Sequence, residues 1–146
     1  MAVFSRNVTV NWEGSVLEGK GTAKAGSGAF SLPVSFPRRI GNAEGVTSPE
    51  ELMAAAHAVC FAMALNAFVG KKGGAIAKTD VTATVTADKG DAGITITTSK
   101  LTVVAHGLTG ISKEEFPAVA AEAEGKCPVS NAYRGSMKIE LEAKAV

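Results

Sequence analysis

The sequence predicts an α+β protein in which antiparallel sheets surround one long, buried central helix. Three observations carry this. Residues 7–12 and 137–143, near the two ends, alternate apolar and polar side chains, the period of a half-buried strand. Residues 81–87 and 94–97 repeat the alternation on either side of a turn-forming stretch and read as a hairpin. Residues 52–69 are apolar almost throughout, interrupted only by His57, Cys60 and Asn66, and are too long for a strand.

The elements follow in order. Glu13-Gly14 and residues 18–21 supply turns, so the chain opens with a hairpin or meander. Gly26-Ser-Gly28 is another turn, and residues 30–36 form a further strand that Pro37 ends. A glycine-containing loop, residues 39–47, leads into the central helix. Ser48 suits its N-cap and Pro49 its first position, while Glu51 completes a Ser-x-x-Glu capping box. That leaves Glu50 without a structural job. Gly70 is the expected stop, with Lys71 and Lys72 suiting the negative end of the helix dipole. The hairpin loop, residues 88–93, is longer than the minimum. Ser112 and Glu115 form a second capping box, opening a helix to about Glu124 with Gly125 as its cap. Pro128 begins a short helix to about Tyr133. No repeat, linker or low-complexity tract interrupts residues 1–146, which read as a single domain.

Composition excludes several classes. A chain of 146 residues, 46% hydrophobic and 20% charged, matches one soluble globular domain. A net charge of +1, with the signs interspersed, gives no electrostatic footprint for nucleic acid. The first residues carry no basic segment followed by an apolar one, so no secretory signal is expected and the cytoplasm is the expected location. Cysteines in such a chain are expected to be free or redox-active. Two cysteines and two histidines, His57 and His106, show no ligand-pair spacing, so no metal is expected. Residues 52–69 nearly reach the length of a bilayer span, but they are dominated by alanine, so a buried helix is the better reading than a membrane segment. A helix apolar on all sides must be covered on all sides. One small sheet and one other helix do not suffice, and a homodimer burying the central helices is expected.

The chemistry centres on the only two cysteines, Cys60 and Cys127. Cys127 precedes Pro128 at a helix start, whose free N–H groups suit a thiolate, and Lys126 adds charge. Cys60 lies inside a helix, where burial alone makes a thiol inert. A nucleophilic Cys60 needs a cation: His57, one turn away, or Arg38 or Arg39 from the preceding loop. Glu50 and Cys60 stand ten residues apart, about 15 Å along a straight helix, so Glu50 needs a bend or a partner chain to join the same site. Each residue also has a plainer reading. Cys60 can be core and His57 a packed, hydrogen-bonded side chain. Arg38 and Arg39 can be solvated loop charges, and Glu50 can merely favour the helix N-terminus. Trp12 reads as a packed aromatic, and Met53 and Tyr133 as core or pocket-lining residues.

Residues 47–65, Thr-Ser-Pro-Glu-Glu-Leu-Met-Ala-Ala-Ala-His-Ala-Val-Cys-Phe-Ala-Met-Ala-Leu, resemble the cysteine helix of the OsmC/Ohr family. Lys126-Cys-Pro-Val-Ser-Asn131 resembles its second cysteine motif. Asn11-Trp-Glu-Gly14, Gly19-Lys-Gly-Thr22 and Asp91-Ala-Gly-Ile94 resemble the OsmC branch. The resemblance covers nearly the whole chain. It implies an intertwined α+β homodimer with sites at its interface. It also implies a peroxidase that reduces organic hydroperoxides, and hydrogen peroxide more weakly, in oxidative or osmotic stress defence. By position, Cys60 corresponds to the peroxidatic cysteine, Cys127 to the resolving one, Arg39 to the activating arginine with Arg38 adjacent, and Glu50 to its partner. No cofactor is implied. The electrons come from a dithiol: a lipoylated protein, a thioredoxin-like protein or a small thiol. Met53, Phe36 and Phe61 are expected to favour alkyl substrates. Two alternatives differ in class. A Cys60–His57 hydrolase lacks an orienting residue and gives Cys127 no role. A redox-sensing or ligand-binding dimer would not turn over.

Overall fold

A computed structural model describes residues 2–146; Met1 lies outside the described residues. The chain forms two compact units, one ending at Leu52 and the other running Met53–Val146.

In the N-terminal unit, β1 (Val8–Glu13), β2 (Lys20–Ala25) and β3 (Ser31–Val34) make an antiparallel meander in the order β1-β2-β3. The expected strand over 30–36 is shorter than the sequence suggested. Pro37 does not simply end it; it opens a short helix, α1 (Phe36–Ile40), because a missing N–H costs nothing in a helix's first turn. Arg38 and Arg39 therefore sit on a helix rather than in a loop. Thr47 is then tied back to the sheet, its N–H donating to the Pro33 carbonyl at 3.1 Å.

Helix α2 spans Pro49–Lys71, with the unit boundary after Leu52. Its N-cap forms by half of the expected box. The Ser48 hydroxyl accepts the Glu51 N–H at 3.1 Å, but the Glu51 carboxylate accepts from the Thr47 hydroxyl at 2.7 Å instead of reaching back to Ser48. The helix runs one residue past Gly70 and stops where Gly73 takes φ +80°, a conformation that glycine adopts without strain.

The C-terminal unit holds β4 (Lys78–Gly90), β5 (Gly93–His106) and β6 (Lys138–Ala145), in the order β4-β5-β6. Both hairpin strands outrun their sequence bounds and leave only Asp91-Ala92 between them, so the long loop is not formed. The sheet is mixed: β5 and β6 are parallel, contrary to the antiparallel expectation. A parallel pair needs a crossover, and α3 (Phe116–Lys126) and α4 (Pro128–Tyr133) supply it. Ser112 and Glu115 do bond reciprocally, yet α3 starts only at Phe116 and runs through Gly125 to Lys126. Cys127 is left as the single joint between α3 and α4.

The core of this unit packs Phe61, Leu65 and Val69 of α2 against Leu101 and Val103 of β5 and Phe116 and Ala120 of α3. With His57, the α2 residues recur every four positions and define one buried stripe. Burial on nearly all sides is not what a single chain provides. On another face of α2, Val59 is 55% and Met63 69% exposed.

Candidate active site

The C-terminal unit brings the two cysteines together. Cys60 on α2 is half-buried and Cys127 fully buried; both thiols are free, and Cys60 packs against the apolar cluster that contains Cys127. Burial pushes the Cys60 thiol up, the Val129 backbone opposes this, and the neighbouring Cys127 raises it further. Cys127 caps α4, as its place before Pro128 suggested, without a side-chain hydrogen bond.

His57 is not the cation that Cys60 needs. It is fully buried, and burial lowers its pKa; Glu124 opposes this and Arg134 reinforces it. Its Nδ1 lies 2.6 Å from the Ser99 hydroxyl of β5 and its Nε2 2.7 Å from the Ser130 hydroxyl of α4. A neutral imidazole carries one donor and one acceptor, and hydroxyls supply either complement. Tyr133 meets the ring edge-on at 5.3 Å and donates its hydroxyl to the Met53 carbonyl at 2.9 Å. Sequence reasoning missed Ser99 and Ser130. One signal was present: Ser130 follows Cys127 by three residues, as His57 precedes Cys60 by three.

The N-terminal unit holds the charged pair. Arg39 Nη2 lies 2.6 Å from Glu50 Oε1, and Nε donates to both carboxylate oxygens at 3.1 Å, a forked geometry. The arginine holds the Glu50 carboxyl below its ordinary range, and the Ser48 hydroxyl assists; the carboxylate in turn raises Arg39. Arg38 points elsewhere, to Glu44 at 2.7 Å in an exposed pair. Glu50, outside the capping box, is the partner of Arg39. Arg39 also lines an apolar cavity of about 320 Å³ with Trp12, Val16, Val34, Phe36 and Pro49. Phe36 is placed as a pocket residue; Phe61 is not, because it is fully buried in the core of the other unit. Trp12 is 41% exposed rather than packed inside.

Fold and site together define an α+β protein with two free thiols packed in one core cluster. The model of the family described as OsmC-like protein matches residues 41–142. Peroxiredoxin OsmC of Escherichia coli strain K12 is 37% identical over 137 residues, 92% of this chain and 94% of that one. Organic hydroperoxide resistance protein OhrA of Bacillus subtilis strain 168 is 34% identical over 117 residues, 77% and 79% of the two chains. Among solved structures, an organic hydroperoxide resistance protein from Elizabethkingia anophelis aligns over the full length of both chains, with TM-score 0.76 and 24% identity. One from Legionella pneumophila, titled OsmC and predicted redox protein, also covers both chains fully, with TM-score 0.73 and 26% identity. The chain belongs to the OsmC-like family, and its fold is the OsmC/Ohr fold.

Proposed function

We propose that this protein is a thiol peroxidase that reduces organic hydroperoxides to alcohols in stress defence. The observation that carries the reading is the packing of its only two thiols, both free, in one apolar cluster, in a member of this family whose relatives bear peroxiredoxin and hydroperoxide-resistance names. The Cys60 thiolate attacks the outer oxygen of ROOH. The O–O bond breaks, ROH leaves after taking a proton, and Cys60 becomes a sulfenic acid. The Cys127 thiol then displaces the hydroxyl as water, forming a Cys60–Cys127 disulfide. An external dithiol restores both thiols by exchange and leaves as its own disulfide.

Burial disfavours the Cys60 thiolate, and within its own unit the Val129 backbone opposes this. Arg39 supplies the missing charge in this reading, with Glu50 orienting its fork. The apolar cavity beside Arg39 suits an alkyl chain better than hydrogen peroxide. Residues 1–146 act as one domain in a homodimer, and the second copy covers the Val59–Met63 face of α2. By length and composition α2 could cross a bilayer, with mean hydropathy 1.9; a face covered by a second copy makes it the core helix of a soluble, cytoplasmic protein instead.

Turnover of cumene hydroperoxide by the reduced protein with dihydrolipoamide is the direct test. Loss of all turnover in Cys60→Ser is expected, together with a peroxide-dependent intrachain Cys60–Cys127 disulfide in the wild type by mass spectrometry. Undiminished turnover in Cys60→Ser would sink the reading.

A further inference from the structure

The His57 network links the two cysteine-bearing helices through their cores. His57 precedes Cys60 by one turn on α2, and Ser130 follows Cys127 by one turn on α4. The 2.7 Å bond between them joins the elements at the thiol pair, and the 2.6 Å bond to Ser99 pins the ring to β5. All three side chains are fully buried. A buried polar trio is rarely favoured over apolar packing for stability alone; what it supplies is a fixed geometry. Here the geometry fixed is that of Cys127, the joint between α3 and α4. It has no side-chain hydrogen bond of its own to hold the cap. The Tyr133–Met53 bond is a second tie between the same helices, further from the sulfurs in sequence.

We infer that His57 is a positioning residue, a clasp that holds Ser130, and with it Cys127, against the Cys60 sulfur and so sets the rate of disulfide closure. The step rests on the dithiol reading above, but its chemistry is simple. Two thiols lose two electrons and two protons to an oxidant, and one S–S bond forms. Intramolecular closure of this kind is governed by how often the attacking sulfur sits in line with its target, and a misplacement of about 1 Å can cost about 100-fold.

The test compares two variants that each remove one hydrogen bond from the same imidazole. Ser130→Ala cuts the link to α4; Ser99→Ala cuts the link to β5 and leaves the clasp. Closure of the reduced protein is followed by non-reducing mass spectrometry after mixing with diamide, which accepts the two electrons and two protons. It is repeated with cumene hydroperoxide, with dimedone trapping the sulfenic acid. Ser130→Ala is expected to slow closure about tenfold or more while sulfenate formation keeps its rate, and Ser99→Ala to slow closure less. Thermal melts establish that both variants fold, since each loses only one oxygen. Wild-type closure in Ser130→Ala, equal slowing in the two variants, or a parallel fall of both steps would overturn the clasp. If the wild type closes with diamide but not with hydroperoxide, the peroxidase reading falls, and the clasp is still decided by the diamide rates.

Discussion

The two units handle polar groups in opposite ways. The N-terminal unit keeps a full ion pair, Arg39–Glu50, at partly exposed positions, with side chains 26% and 15% accessible. The C-terminal unit buries only neutral groups around its thiols: Cys127, His57, Ser99 and Ser130. Each choice follows from solvation. A charge taken out of water is costly unless paired, whereas hydrogen-bonded neutral groups tolerate full burial. Among the described residues no buried side-chain nitrogen or oxygen lacks a partner. One holds the paired charge; the other holds two free thiols, and burial disfavours the Cys60 thiolate.

The sharpest way to break this division is to remove the charge. Arg39→Met is expected to lower the rate of hydroperoxide capture about 100-fold or more, the scale set by loss of one preorganised electrostatic donor. Arg38→Met, which loses only an exposed pair with Glu44, should leave it nearly unchanged. Equal effects would refute the assignment of Arg39. Glu50→Gln keeps the shape but weakens the fork, so a smaller loss is expected, of about tenfold, read as kcat/KM by stopped flow.

Stability separates the units next. Phe61→Ala empties the centre of the C-terminal core and should cost about 3–5 kcal/mol in denaturant unfolding. Met63→Lys lies on the exposed face and should barely alter folding of the chain, yet it places a charge in the proposed dimer contact. A shift towards monomer by sedimentation is expected, and an unchanged mass would remove that interface.

The smallest effect is pH dependence. His57 has a lowered pKa, so the unfolded chain takes up its proton first. The unfolded state then binds more protons, and stability rises with pH through that window. The contribution is complete above about pH 6.5 and is lost as pH falls towards the folded value. Glu50, also lowered, contributes above the ordinary carboxylate range near pH 4.3 and loses its contribution below it. His57→Gln should flatten the upper part of the acid limb and Glu50→Gln the lower part.

Much of this was legible in the chain. Period-two alternation located the strands, and Ser48, Pro49 and the apolar run located α2, because these signals are local. The resemblance then pointed to Cys60, Cys127, Arg39 and Glu50. Misreadings arose where two local signals competed. Pro37 read as a strand end although proline also suits a helix start. Gly125 read as a cap although α3 continued through it. Phe61 read as pocket lining because helical periodicity does not say which face meets a core.

By itself the sequence determined the class of the protein: α+β, with one apolar helix and two thiols. Only the tertiary structure decided the parallel β5–β6 pairing, the turn of Arg39 rather than Arg38 towards Glu50, and the meeting of His57 with Ser99 and Ser130, 42 and 73 positions away. The reason is physical. Local pattern fixes which face of an element is apolar, but a bond across such distances depends on which elements pack, and that is set by the whole chain's burial.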